Sequence, residues 1–173
     1  MKLIARALIL VPALLASSAL ADDMLVQFKG GIGVIPVSSG VPVVGATTSD
    51  VVNRNFVRGV PPPGQPWVIG DLKADVKTDG SIKVQGRGLL LAGGNGIGSN
   101  AGQSVFATLI CEAAAPFTER NTTLAGVALA PNGDFEIDDA LSPAPPADCA
   151  SPVLLIRSAA LRAWFAAGIP KPN

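Results

Sequence analysis

The sequence predicts an all-β fold, an antiparallel β-sandwich of about seven to nine short strands that follows a cleaved signal peptide. At residues 65–91, apolar and polar residues alternate with the period of two that gives a strand one buried and one exposed face. Turn-forming sequences recur about every 8 to 15 residues along the chain. The chain also has two cysteines, which in an exported protein indicate one disulfide.

Residues 1–21 are predicted to be a secretory signal peptide. Lys2 and Arg6 supply its positive start, residues 7–15 its apolar stretch, and the Ala-Leu-Ala sequence at 19–21 its cleavage pattern. The apolar stretch is too short for an ordinary membrane span, so a permanent membrane anchor is not expected. The predicted location is therefore secreted or periplasmic.

The mature part, residues 22–173, is expected to form one domain, with an N-terminal segment at 22–60 and the β-sandwich core at 61–173. The full chain has 13 basic and 13 acidic residues, and loss of the two basic residues of the signal peptide leaves a formal charge of −2. A nearly neutral surface gives no electrostatic footprint for nucleic acid or an acidic membrane. Neither is an expected partner.

The clearest secondary-structure prediction in the chain is a central hairpin at residues 65–91. Asp79 and Gly80 form its turn, because glycine tolerates the positive φ of tight hairpin turns. Its apolar face is predicted to contain Val68, Leu72, Ala74, Val76, Ile82, Val84 and Leu90.

Segment 22–60 is harder to interpret, because Gly30 and Gly31 split its first apolar stretch. Phe56 is expected to anchor the last strand of the segment. The sequence leaves open whether the segment packs on the sandwich or forms a flexible arm. The expected elements are strands at 24–28, 32–37 and 51–60 and a loop at 38–50.

Beyond the hairpin, residues 104–112 form the clearest strand, with apolar residues on both faces as in a strand between two layers. Residues 158–165 also fit a short helix, but we favour a turn followed by a strand at 164–169. The other expected elements are a loop at 92–103, strands at 124–129 and 134–141 around a Pro-Asn-Gly turn, an extended linker at 142–147 and a strand at 153–157.

Cys111 and Cys149 are predicted to form a disulfide, which by the chain-entropy model stabilises the fold by about 4 kcal/mol; two free thiols are the alternative. The chain contains no histidine. Ser-His-Asp and Cys-His nucleophile systems and histidine-ligated metal sites are therefore excluded, and no catalytic residue is assigned.

The glycine-rich loop at 93–103 contains a G-x-G-x-G sequence, but it leads into a strand. A dinucleotide site needs a helix at that point. We expect a connecting loop that forms the rim of a binding surface, as loops on a rigid β-sandwich often do. The candidate ligand-binding residues are Gly94, Asn95, Gly96, Ser99 and Asn100.

Asp134, Glu136 and Asp138 fall on one face of a predicted strand, about 7 Å apart. Calcium prefers oxygen ligands, so these three are the candidate metal ligands; a solvated sheet face is the alternative. No other cofactor is expected. A carboxylate pair for glycoside hydrolysis would need two such groups at a fixed separation across a cleft.

Two parts of the chain, QPWVIGDLKADVKTDGSIKVQGRGLLLAGGN and the stretch from SVFATLICEAAAPFTERNT through DCASPVLLIR, resemble a group of small secreted all-β proteins, mainly bacterial, that has no established activity. The resemblance spans residues 65–169 and implies family membership without a mechanism. The short strands are also similar, more loosely, to chordin-type β-sandwich repeats, although the histidine-containing segment of those repeats is missing.

The sequence thus favours an exported, non-enzymatic binding or interaction module whose partner is an extracellular protein or glycan. Two alternatives remain at this point. One is a secreted hydrolase that uses paired carboxylates, and the other is a structural component of the envelope or matrix.

Overall fold

The computed structural model describes residues 23–39 and 52–171 and contains thirteen β-strands. Among these residues no helix occurs, and therefore none is long and apolar enough to cross a membrane. The strands are β1 Met24–Gly33, β2 Val37–Ser39, β3 Val52–Arg54, β4 Trp67–Val68, β5 Asp71–Lys77, β6 Ser81–Arg87, β7 Leu90–Leu91, β8 Ser104–Ile110, β9 Arg120–Asn121, β10 Val127–Ala128, β11 Phe135–Ala140, β12 Val153–Ser158 and β13 Trp164–Pro170.

Nine strands form one antiparallel sheet in the order β10-β8-β12-β13-β1-β5-β6-β11, with β9 paired to β8. The sheet curls until β10 and β11 approach each other, so a single sheet supplies both walls around the core. Two short pairs, β2 with β3 and β4 with β7, complete the architecture. The predicted all-β antiparallel fold is confirmed.

The seam between the two ends of the sheet is bridged by loops. Asp139 accepts a hydrogen bond from the backbone N–H of Thr123 at 2.7 Å. Asn121 and Ser142 exchange two backbone hydrogen bonds across the same seam. These contacts satisfy edge groups that would otherwise be open to pairing with another chain.

The central hairpin has the predicted period. Leu72, Ala74 and Val76 of β5 and Ile82 and Val84 of β6 are all buried, while the residues between them are exposed. The inward assignments of Val68 and Leu90 are wrong. Val68 is 50% exposed and Leu90 is half-buried, because both lie in the separate β4–β7 pair; the buried neighbours are Trp67 and Leu89.

The first strand lies inside the main sheet. Met24–Gly33 is continuous and pairs with β13 on one side and β5 on the other, with an irregularity in its pairing between Phe28 and Gly31. The glycines therefore permit a bulge where the sequence suggested a break between two strands. Phe28 reaches the core.

Phe56 does not anchor the strand expected at 51–60, so that prediction is wrong. Its ring is 52% exposed and lies beside the guanidinium of Arg54, 5.3 Å from the ring centroid. Strand β3 ends at Arg54, and the chain then turns through the bridge between Val57 and Val60. Val60 is fully buried in the core, and Val57 packs against the core from a partly buried position. Residues 1–21 and most of the expected loop at 38–50 lie outside the described residues.

Strand β8 is buried on both faces, as predicted. Val105, Ala107 and Leu109 join the main core, and Phe106 and Thr108 are buried on the other side. Further along, β10 covers only Val127–Ala128 of the longer strand expected at 124–129.

The C-terminal region forms a turn and then strand β13, which confirms the strand over the helix. Trp67 stacks on Phe165 with the ring centroids 4.0 Å apart. The disulfide between Cys111 and Cys149 is present and joins the end of β8 to the segment before β12.

Candidate functional site

The predicted binding loop is held in place by its own polar residues. The Ser99 hydroxyl donates to the carbonyl of Gly96 at 2.7 Å. The Asn100 amide donates to the carbonyls of Leu129 and Ala130, each at 3.0 Å, and its oxygen accepts from the Gly102 N–H. Ser99 and Asn100 therefore shape the loop and fasten it to the chain after β10.

The other three candidates of this loop differ in exposure. Gly94, at a φ of 71°, lies against the side chain of Gln65, and Gly96 lies against Leu91. Asn95 is exposed, and its side chain makes no hydrogen bond to the residues that the structure describes. Of the five candidates, Asn95 has the side chain that is freest to contact a ligand.

The end of this loop meets two other connections and forms an open groove of about 540 Å³, which we call the loop groove. The β7–β8 connection, the β9–β10 connection and the β12–β13 turn each contribute to it. Five of its eight lining residues are small, and the others are one leucine, one glutamine and one arginine. Its lining residues are Gly102, Gln103, Ser104, Leu124, Ala125, Ala159, Ala160 and Arg162.

The backbone is strained on two sides of the loop groove. Ala101 has a φ of 48° and Arg162 a φ of 59°, a left-handed conformation that non-glycine residues rarely adopt. Such residues persist only where the surrounding structure holds them, and they cluster at ligand sites. Two of the three described residues of this kind thus flank one groove.

Arg162 is positioned by contacts on the outer face of β8. Its guanidinium donates to the carbonyl of Leu124 at 3.0 Å and lies 5.3 Å from the centroid of the Phe106 ring. Arg157 approaches the same ring at 5.2 Å and donates from Nε to the carbonyl of Arg162. The ring is therefore contacted by two cations, an arrangement that fixes both guanidinium groups.

The two arginines differ in their counter-charges. Arg157 is buried and pairs with Glu119 at 2.6 Å. Arg162 is exposed, and among the described residues it forms no ion pair with a carboxylate. The wall of the loop groove thus presents a positive charge with free donors, which suits carboxylates and other oxygen-rich groups.

The three acidic candidates lie just before β11 and along it. Asp134 accepts hydrogen bonds from the Gly88 N–H at 3.0 Å and from the Asn132 amide at 2.9 Å. Asp138 pairs with Lys83 at 2.9 Å, and Glu136 lies across from Gln85 on β6. Within the described parts of the chain, no three His, Cys, Asp or Glu side chains are placed to hold a metal ion. Calcium binding by these residues stays a prediction.

Comparison of the chain with protein-family models, curated proteins and solved structures found no match. The resemblance to small secreted all-β proteins stays a prediction.

The grouping of Arg157 and Arg162 around Phe106 has no signal in the sequence, because the arginines are scattered along the chain.

Another buried arginine, Arg120, lies on β9 and pairs with Glu112 at 2.8 Å. The hydrogen bond from Arg120 lowers the pKa of Glu112 to about 2, from 4.5, against the opposing effect of desolvation. The backbone N–H of Thr118 contributes in the same direction.

Because this pKa falls on folding, the pair stabilises the protein above about pH 4.5, and the contribution is lost as pH falls toward about 2. We expect Glu112→Gln to lower the free energy of unfolding by about 2 kcal/mol at pH 7, since it leaves the buried Arg120 without a counter-charge. Urea denaturation at pH 7, 4 and 2 measures the effect, with the exposed Glu136→Gln as control. An equal loss at all three pH values would contradict the assignment.

Proposed function

We propose that this protein is an exported, non-enzymatic binding module whose ligand, an extracellular glycan or protein, docks in the loop groove. The observation that carries the proposal is the exposed guanidinium of Arg162, which is held by Phe106 and Leu124 and has no carboxylate partner among the described residues. A cation fixed in this way is ready to bind an acceptor group without reorganising.

The shape of the loop groove agrees with a polar ligand. Glycine, serine and alanine residues leave its surface open to close approach by a sugar ring or a peptide segment. The oxygen of Gln103 accepts from the Ser158 hydroxyl at 2.8 Å, which orients the amide at the side of the groove. Its three component loops extend from a rigid sheet, a common arrangement for binding sites.

A thermal-shift screen of the mature, oxidised protein tests the proposal. The probes are neutral oligosaccharides, uronate-containing oligosaccharides, calcium chloride and a chelator. A ligand that binds the folded state raises the melting temperature by mass action, by an amount that depends on its concentration relative to Kd. We expect a rise with uronate-containing oligosaccharides, because Arg162 can bind a carboxylate through two parallel hydrogen bonds.

The decisive comparison is between Arg162→Gln and Arg87→Gln, which remove the same charge from the groove and from the exposed face of β6. We expect the first to abolish the shift and the second to retain it. A flat response to the whole panel, or equal loss in both variants, would contradict binding in the loop groove. A rise with calcium that the chelator reverses, lost in Asp134→Asn, would place a ligand at the acidic strand instead.

A further inference from the structure

Two lysines face each other across the outer surface of the main sheet. Lys29 of β1 lies directly opposite Lys73 of β5 in the register of the two strands. Both side chains are exposed. Like charges placed directly opposite each other in a sheet destabilise it.

A third lysine is brought to the same place by the last strand. Pro170 of β13 lies opposite Phe28, and the N–H of Lys171 then donates to the carbonyl of Gln27 at 2.8 Å. The Lys171 ammonium also donates to the Gln27 side-chain oxygen at 3.3 Å. Lys29, Lys73 and Lys171, which we call the lysine face, line one shallow depression of about 270 Å³ with Gln27 and Asp75.

The one carboxylate in the depression, Asp75, forms no ion pair with these lysines. Asp75 accepts a hydrogen bond from the Gln27 amide at 2.7 Å. The residue opposite Asp75 on the adjacent strand β6 is Lys83, which pairs with Asp138. In the described residues, no member of the lysine face forms an ion pair. The depression therefore brings three lysines together with a single carboxylate, an excess of two positive charges, and no ion pair forms among these residues.

We propose that the lysine face binds the sulfate or phosphate groups of an anionic polysaccharide. Each ammonium offers three donors, and tetrahedral oxyanions are acceptors on all sides. Adjacent strands lie about 4.8 Å apart, so one anionic group can contact both Lys29 and Lys73. A polymer with repeated groups gains further affinity when a second group reaches Lys171. The lysine face shares no residue with the loop groove, so this proposal stands apart from the proposed function.

Isothermal titration of the full mature protein with dextran sulfate and with unsulfated dextran, at low salt, tests the proposal. Inorganic phosphate serves as the free-anion probe. The test variant is Lys29→Gln/Lys73→Gln, and the matched control is Lys83→Gln/Arg87→Gln, which removes the same charge from β6 on the same face. We expect the test variant to bind dextran sulfate at least about tenfold more weakly and the control to stay within about threefold of wild type.

Equal weakening of dextran sulfate binding in both variants would overturn the proposal, because it would mean attraction by net charge alone. Failure of the wild type to bind dextran sulfate would also overturn it. Competition by inorganic phosphate at matched anion concentration would overturn the assignment to a polymer. Removal of the opposed lysines should also leave the melting temperature at low salt unchanged or higher. A lower value would show that they serve stability and would overturn a binding role.

Discussion

Removing the disulfide with Cys111→Ala/Cys149→Ala is expected to lower the free energy of unfolding by about 4 kcal/mol and the melting temperature by about 10 °C. The bond joins two cysteines separated by 38 positions in sequence and closes a loop that contains β9, β10 and β11. Without it, the unfolded chain regains the freedom of that loop. Urea denaturation of the oxidised wild type and the double variant measures the difference.

Reductant supplies the control for this prediction. Reduced wild type should match the double variant, and reductant should leave the double variant unchanged. If the double variant unfolds at the same urea concentration as the oxidised wild type, the stabilisation assigned to the disulfide is wrong.

Replacing Gly133 with alanine is expected to lower the free energy of unfolding by about 3 to 5 kcal/mol. Gly133 has a φ of 81°, and an added Cβ would lie 2.6 Å from both the backbone nitrogen and the oxygen of Leu89. Leu89 is fully buried and its N–H donates to the carbonyl of Gly133, so neither backbone can move without loss of packing.

Gly98→Ala is the matched control, because Gly98 has a φ of 80° and no atom within 4 Å of an added Cβ. It should cost only about 1 kcal/mol, the price of the backbone conformation alone. Urea denaturation of the two variants separates close contact from conformation. Equal losses would show that the approach of Gly133 to Leu89 carries no energy.

Local patterns predicted the strands whose pairing is also local. Strands β5 and β6 follow the alternation of apolar residues around the Asp79-Gly80 turn, and β8 follows its two-sided apolar sequence. The alternation failed at Val68, because a two-residue strand in a separate pair changes which side faces the core. It also failed at Phe56, where a short turn sends Val60 inward instead.

Local sequence patterns did not predict which strands pair over long distances along the chain. Nothing in residues 24–33 indicates that β1 lies between β5 and β13, because that position depends on partners far along the chain.

The same limit applies to the candidate site. The loop at 93–103 was located correctly, but the hydrogen-bond partners of its polar side chains had no local signal. Ser99 donates to the carbonyl of Gly96 within the loop, and Asn100 donates to the carbonyls of Leu129 and Ala130 after β10. Arg162 lies in a sequence of good helix formers, so its left-handed turn and its place in the loop groove had no local signal. The regular spacing of the acidic residues was visible in the sequence, but their partners were not. Asp134 accepts a hydrogen bond from the N–H of Gly88, and Asp138 pairs with Lys83 of β6.

The position of β1 has a consequence for the order of folding. It is the first described strand, and it pairs with β13, the last, across more than a hundred intervening residues. Closing so long a loop loses conformational entropy before the contact between the strands can offset the loss. Folds with many such contacts therefore form slowly. A nascent chain that still lacks β13 would present β1 as an open edge of the sheet. We therefore expect folding to be completed only after the last strand is released.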